Sequence, residues 1–141
     1  MSDDQNLVEA RRWLAQAEDD LRFARVGLTE GFFAQVCFLA QQAGEKALKS
    51  IRYLRGERRV LGHSLVALVE SLRDEMPDAD SLKNPAAELD LHYVPTRHPN
   101  GLPDLAPFQA YTREQAVRAL AAAERFLSLA RERIAEPPAT G

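Results

Sequence analysis

Apolar residues recur along this chain at alternating steps of four and three, the pattern of helices that each bury one face. Ala10, Leu14, Ala17, Leu21, Ala24 and Leu28 form the first stripe, with Trp13 alongside. They predict a helix from about Asn6 to Glu30, with Asp3 or Asp4 near the positive end of its dipole and Gly31 as its stop. The second helix, about Phe32 to Arg55, is the most apolar and is expected at the centre. Phe32, Val36, Leu39, Ala43, Ala47, Ile51 and Leu54 keep its period, and Cys37, Ala40 and Leu48 widen the face. Gly44 inside it costs about 1 kcal/mol of helix propensity relative to Ala. Close approach of another helix is the expected compensation.

A third helix, about Ser64 to Glu75, carries Leu65, Leu68, Val69 and Leu72 inward, and Met76-Pro77 ends it. Ser81 or Asn84 is the expected cap of a fourth, with Pro85 in its first turn, the pair Leu89 and Tyr93 near its end, and Pro95 as its stop. The last helix opens on a capping box, Thr112 to Gln115. Ala116, Leu120, Ala123, Leu127, Ala130 and Ile134 then carry it to about Ala135. No stretch alternates like a strand and no segment repeats. The expected fold is all-α, an up-and-down bundle of about five helices. Residues 1–136 form its single domain and 137–141 a disordered tail.

Composition narrows the class of partner. The chain has 141 residues, 28% of them charged, and a net charge of −3, which argues against coating nucleic acid by bulk charge. The single cysteine, Cys37, lies in an apolar run and reads as a buried thiol. The acidic start MSDDQNLVEA is no signal peptide, and no apolar run approaches the roughly 20 residues that span a bilayer. A cytoplasmic protein without membrane contact is expected.

The chemistry concentrates in Leu91 to Pro107, LHYVPTRHPNGLPDLAP. Prolines 95, 99, 103 and 107 fall every fourth residue and stiffen a loop that holds His92, Tyr93, Arg97 and His98. Neither Glu-x-x-His pairs nor H-E-x-x-H occurs, so no metal or other cofactor is expected. The glycines are scattered singly and make no phosphate loop. Arg97 beside His98 is the minimal cation-plus-base pair for metal-free RNA cleavage, a weak catalytic candidate. The alternative is that Arg97 pairs with Asp90 or Asp104 and only holds the loop. A second basic region, Lys46, Lys49, Arg52 and Arg55 followed by Arg58 and Arg59, is either a solvated helix end or an anion site.

Three segments carry a family resemblance: A-x-x-W-L-A-Q-A-E-D-D-L from Ala10 to Leu21, C-F-L-A-Q-Q-A-G-E-K-A-L-K from Cys37 to Lys49, and H-Y-V-P-T-R-H-P-N from His92 to Asn100. With Gly62-His63-Ser64-Leu65 between them, the chain strongly resembles the prokaryotic HEPN domain family. The resemblance implies a helical bundle that commonly dimerises, a possible minimal nucleotidyltransferase partner in a toxin–antitoxin type module, and a link to nucleotide or RNA. It implies Tyr93, Pro95, Thr96, Arg97 and Pro99 as the functional loop. Many relatives of that superfamily are metal-independent ribonucleases with an R-x4–6-H motif. Here the histidine after Arg97 is the adjacent His98, and Arg58 to His63 fits the spacing only between helices 2 and 3.

The leading expectation is a dimeric binding module with Tyr93, Thr96, Arg97, Lys46, Lys49, Arg52 and His63 as ligand-binding residues. A divergent ribonuclease using Arg97 with His98, His92 or His63 is the alternative. A third possibility is that the loop is only a dimer seam.

Overall fold

The computed structural model describes residues 2–93, 98 and 102–135. Its elements are α1 (Asp3–Glu30), α2 (Phe33–Leu54), α3 (Leu65–Ser71), a 3-10 turn (Arg73–Glu75), α4 (Ala79–Asp90), α5 (Pro107–Ala110) and α6 (Arg113–Ala135). The all-α expectation holds, with α5 added to the five helices read from the pattern. Four residues are too few for a hydrophobic period, so α5 left no signal in the sequence. The expected tail at 137–141 lies outside the described residues.

Helix α1 starts at Asp3, earlier than its apolar stripe. Ser2 Oγ accepts from the Gln5 amide at 3.2 Å, and Gln5 Oε1 accepts from the Ser2 amide at 3.1 Å. Gly31, at φ 86°, ends it in the left-handed region. Helix α4 departs most from the reading. It begins at Ala79 with Asp78 as cap, so Pro85 lies inside it and not in its first turn. Proline there removes the hydrogen bond to the carbonyl of residue 81. Burial of Ala79, Leu82, Ala86 and Leu89 on one face outweighs that loss. Helix α4 also stops at Asp90, before Tyr93. Helix α3 ends at Ser71 and tightens into the 3-10 turn, with Leu72 fully buried at the junction.

Helix α2 contacts all five other helices and is the centre of the bundle. It packs most extensively on α1 and α6, while α3 and α4 pair with each other beside it. Ala10, Ala17 and Ala24 of α1 and Ala40, Ala43 and Ala47 of α2 have no exposed surface. Such small side chains let helix axes approach closely. Around them Leu21, Leu48, Ile51, Leu65, Leu89, Phe126 and Leu127 are enclosed. Each is worth about 1.5–3 kcal/mol of apolar burial. Gly44 is where the packing is tightest. A Cβ there would lie 2.8 Å from Leu65 Cδ2 and 3.2 Å from Leu89 Cδ1, which accounts for a glycine in mid-helix.

Candidate functional site

Helix α2 also buries a second, polar row. Gln41, Glu45 and Lys49 follow one another at steps of four, so they share a face. All three are enclosed, at 0%, 4% and 5% exposure. A buried charge is tolerable only when paired and hydrogen-bonded, and here the row supplies its own partners. Lys49 Nζ meets Glu45 Oε2 at 3.3 Å, and Gln41 Nε2 approaches Glu45 Oε1 at 3.4 Å. Lys49 also lies 5.8 Å from the ring centroid of Trp13. That indole stacks on Tyr53 at 5.0 Å and donates to Glu9 at 3.1 Å. Tyr53 in turn accepts from the Val60 amide at 3.2 Å, which ties the connector after α2 to the bundle.

The row ends on His63. Its Nδ1 is 3.0 Å from Glu45 Oε1, and its carbonyl accepts from Gln41 Nε2 at 2.9 Å. A carboxylate oxygen accepts, so Nδ1 is the donor of this contact and Nε2 is left on the other edge of the ring. The imidazole stacks on Tyr93 at 4.6 Å with 23° between the planes. Tyr93 also stacks on Phe38 of α2, at 6.2 Å and 17°. One face of His63 is therefore covered and one edge bonded, while 56% of the side chain remains exposed.

Asp90 joins α4 to the same corner. Its carboxylate accepts from Ser64 Oγ at 2.9 Å, the Leu65 amide at 2.7 Å and the Val66 amide at 3.2 Å. It thus serves the start of α3, where backbone donors have no helical partner. Ser64 Oγ accepts from the Ala67 amide at 3.2 Å and completes the cap. The two caps fix the direction in which α3 leaves His63.

The structure therefore gathers Tyr93 and His63 and separates them from most of the basic stretch. Lys46 is paired with Asp20 of α1, and Lys49 with Glu45. Arg52 is bound to Glu57 through a bidentate contact, which holds that carboxyl below the usual range and raises the guanidinium. Arg55 shares Glu57 at 2.9 Å and reaches Glu75 at 3.4 Å. Thr96, Arg97, Pro95 and Pro99 lie outside the described residues, and His98 is exposed. His92 is half-buried with its edge toward Tyr111, ring centroids 5.4 Å apart, and burial lowers its pKa. Cys37 is fully buried, and burial pushes its thiol up to about 12. Among the described residues, no three His, Cys, Asp or Glu side chains gather as a metal site. Nor is any described helix long and apolar enough to cross a membrane.

Glu45, Gln41 and Phe38 escaped the reading by function. Their signal was present, though: Gln41, Glu45 and Lys49 occupy a helical period on a segment whose apolar pattern says buried.

The chain is similar to known proteins over most of its length. The chain is 38% identical to TT1696 of Thermus thermophilus, whose crystal structure superposes with a TM-score of 0.84 over 89% of this chain and 98% of that one. ST0689, an archaeal HEPN homologue, is 34% identical, with a TM-score of 0.73 over 89% and 98% of the two chains. A Methanocaldococcus jannaschii protein named "Putative toxin MJ1304" is 28% identical over 93% of this chain and 91% of its own length. Residues 10–133 match the HEPN domain family, and the chain belongs to that family.

Proposed function

We propose that this HEPN protein acts as a dimeric, nucleotide- or RNA-associated binding module, the partner of a minimal nucleotidyltransferase in a toxin–antitoxin type system. The observation that carries the reading is the exposed imidazole of His63, held by buried Glu45 and stacked on Tyr93. Tyr93 begins the segment that leads to Thr96 and Arg97, so a planar group and a cation follow each other closely in the chain. The toxin-named relative supports the system, since it is similar over nearly its whole length. Lys46, Lys49 and Arg52 are already engaged by Asp20, Glu45 and Glu57, so the reading leans on His63, Tyr93 and the loop that follows them. The cytoplasm is the compartment that fits such a role.

Calorimetric titration with ATP, GTP and short RNA tests it. Binding that weakens in Arg97→Ala is the expected result, and absence of heat with every ligand would overturn the nucleotide reading. Co-purification with a small nucleotidyltransferase encoded beside the gene, and light scattering of the purified chain, test the partner and the dimer.

One observation favours a second reading, a divergent metal-independent ribonuclease. A carboxylate on Nδ1 is the contact that orients an imidazole as a base through Nε2. Cleavage of labelled RNA in excess chelator, lost in His63→Ala, together with growth arrest on expression, would establish it. Intact RNA and normal growth would remove it.

A further inference from the structure

The geometry points to the open face of His63 as a stacking platform for a nucleobase, distinct from the phosphate-binding role expected of Arg97. The inference rests on the nucleotide reading above and specifies where the base sits. Phe38, Tyr93 and His63 form one continuous aromatic stack, with centroid steps of 6.2 and 4.6 Å and planes within 17° and 23° of each other. The first ring stands on α2 at the half-buried end, and the last stands at the surface. Among the described residues, Tyr93 is the ring that covers His63. With one face on Tyr93 and Nδ1 on Glu45, the 56% of the side chain that is exposed lies on the rest of the ring, its second face and its free edge.

That face is held in place from three directions. Glu45 fixes the ring edge through Nδ1 and Gln41 fixes the backbone carbonyl, both from the rigid middle of α2. Gln41 is itself held, its Oε1 accepting from Gln42 Nε2 at 2.6 Å. Gly62, at φ 97°, supplies the turn that brings His63 over Tyr93, in a conformation that L side chains rarely adopt. A ring so positioned loses little freedom when a ligand lies on it, which is the condition for stacking to yield affinity.

The class of ligand follows from the surface. The platform is flat, polar at its edge and open to one side, so it suits a planar heteroaromatic ring and not a bulky apolar side chain. A nucleobase offers such a ring whether it comes from a free nucleotide or from an unpaired RNA residue. Purines, with the larger ring system, should stack more strongly than pyrimidines.

The test titrates isotopically labelled protein with ATP, adenosine, oligoadenylate and tripolyphosphate while following the His63 ring protons by NMR. ATP and adenosine should move those protons upfield through the ring current of the base, and tripolyphosphate should leave them in place. A stronger response to oligoadenylate than to ATP would identify the RNA source. His63→Ala should weaken ATP binding by about tenfold or more, the range of one base–aromatic stack. His63→Phe, which keeps a ring, should bind within about twofold of the wild type. The inference is overturned if His63→Ala binds like the wild type, or if adenosine and ATP leave the His63 protons unmoved. Should ATP and tripolyphosphate bind alike with His63 unmoved, the phosphate-binding reading stands and the base platform falls. Should no ligand bind at all, both fall.

Discussion

Ala40, Ala43 and Ala47 on one side of α2, and Gln41, Glu45 and Lys49 on another, are almost equally enclosed, yet they answer to different physics. The alanine row gains from removing apolar surface from water and from close packing against neighbouring helices. The polar row must first recover the cost of dehydrating a carboxylate and an ammonium, and its mutual attraction does little more than that. A buried ion pair is weak as a stabiliser. It is strong as a positioning device, because neither charge can move away from the other. Here the device sits where α2 meets the exposed ring of His63.

Four experiments test this contrast. The largest effect belongs to the apolar side. Phe126→Ala removes a fully buried ring and should cost about 3–5 kcal/mol in denaturant unfolding. A cost below about 1 kcal/mol would mean that the core does not close around α6 as described.

Glu45→Ala comes next. It leaves Lys49 enclosed without its carboxylate and should cost about 3 kcal/mol. The paired change Glu45→Leu with Lys49→Met should recover most of that loss, because apolar residues of similar volume often replace buried pairs at no cost. The double variant should nonetheless lose the fixed orientation of His63, seen as averaged ring signals. If its stability stays as low as that of Glu45→Ala, the polar row is structural in its own right.

Asp90→Ala should destabilise by about 1–2 kcal/mol, since it strips the start of α3 of an acceptor for two backbone amides. Hydrogen exchange of the Leu65 and Val66 amides should rise more than that of α2. Uniform exchange changes would contradict a local cap.

The smallest effect is a pH dependence at His92. Burial lowers its pKa below the ordinary histidine value of 6.5. The folded chain therefore binds this proton less readily than the unfolded chain does. Its contribution is fully present above pH 6.5 and declines as the pH falls from there through the folded value. The melting temperature should drop over that window, and His92→Gln should flatten the slope. An unchanged slope would place the titration elsewhere.

Much of the bundle was legible because helices are local objects. The stripe from Ala10 to Leu28, the stop at Gly31 and the box at Thr112 to Gln115 depend on residues within a few positions of each other. Helix α4 was less legible, since Pro85 and two plausible caps argued for a late start. Burial of Leu82, Ala86 and Leu89 overrode that argument, as α4 packs against α3, α6 and α2. The candidate site was half legible. Tyr93 and His63 were named among many ionisable groups, but nothing local says that they stack.

Most of the helices and the apolar faces they bury were therefore set by the sequence alone. Those properties follow from period, propensity and volume along one segment. Tertiary structure alone decided that Asp20 takes the charge of Lys46, that Glu45 meets His63, and that Phe38 lies under Tyr93. Each of these joins residues far apart in the chain. Only packing α2 against its neighbours brings such groups within the few ångströms over which a charge or a ring can act.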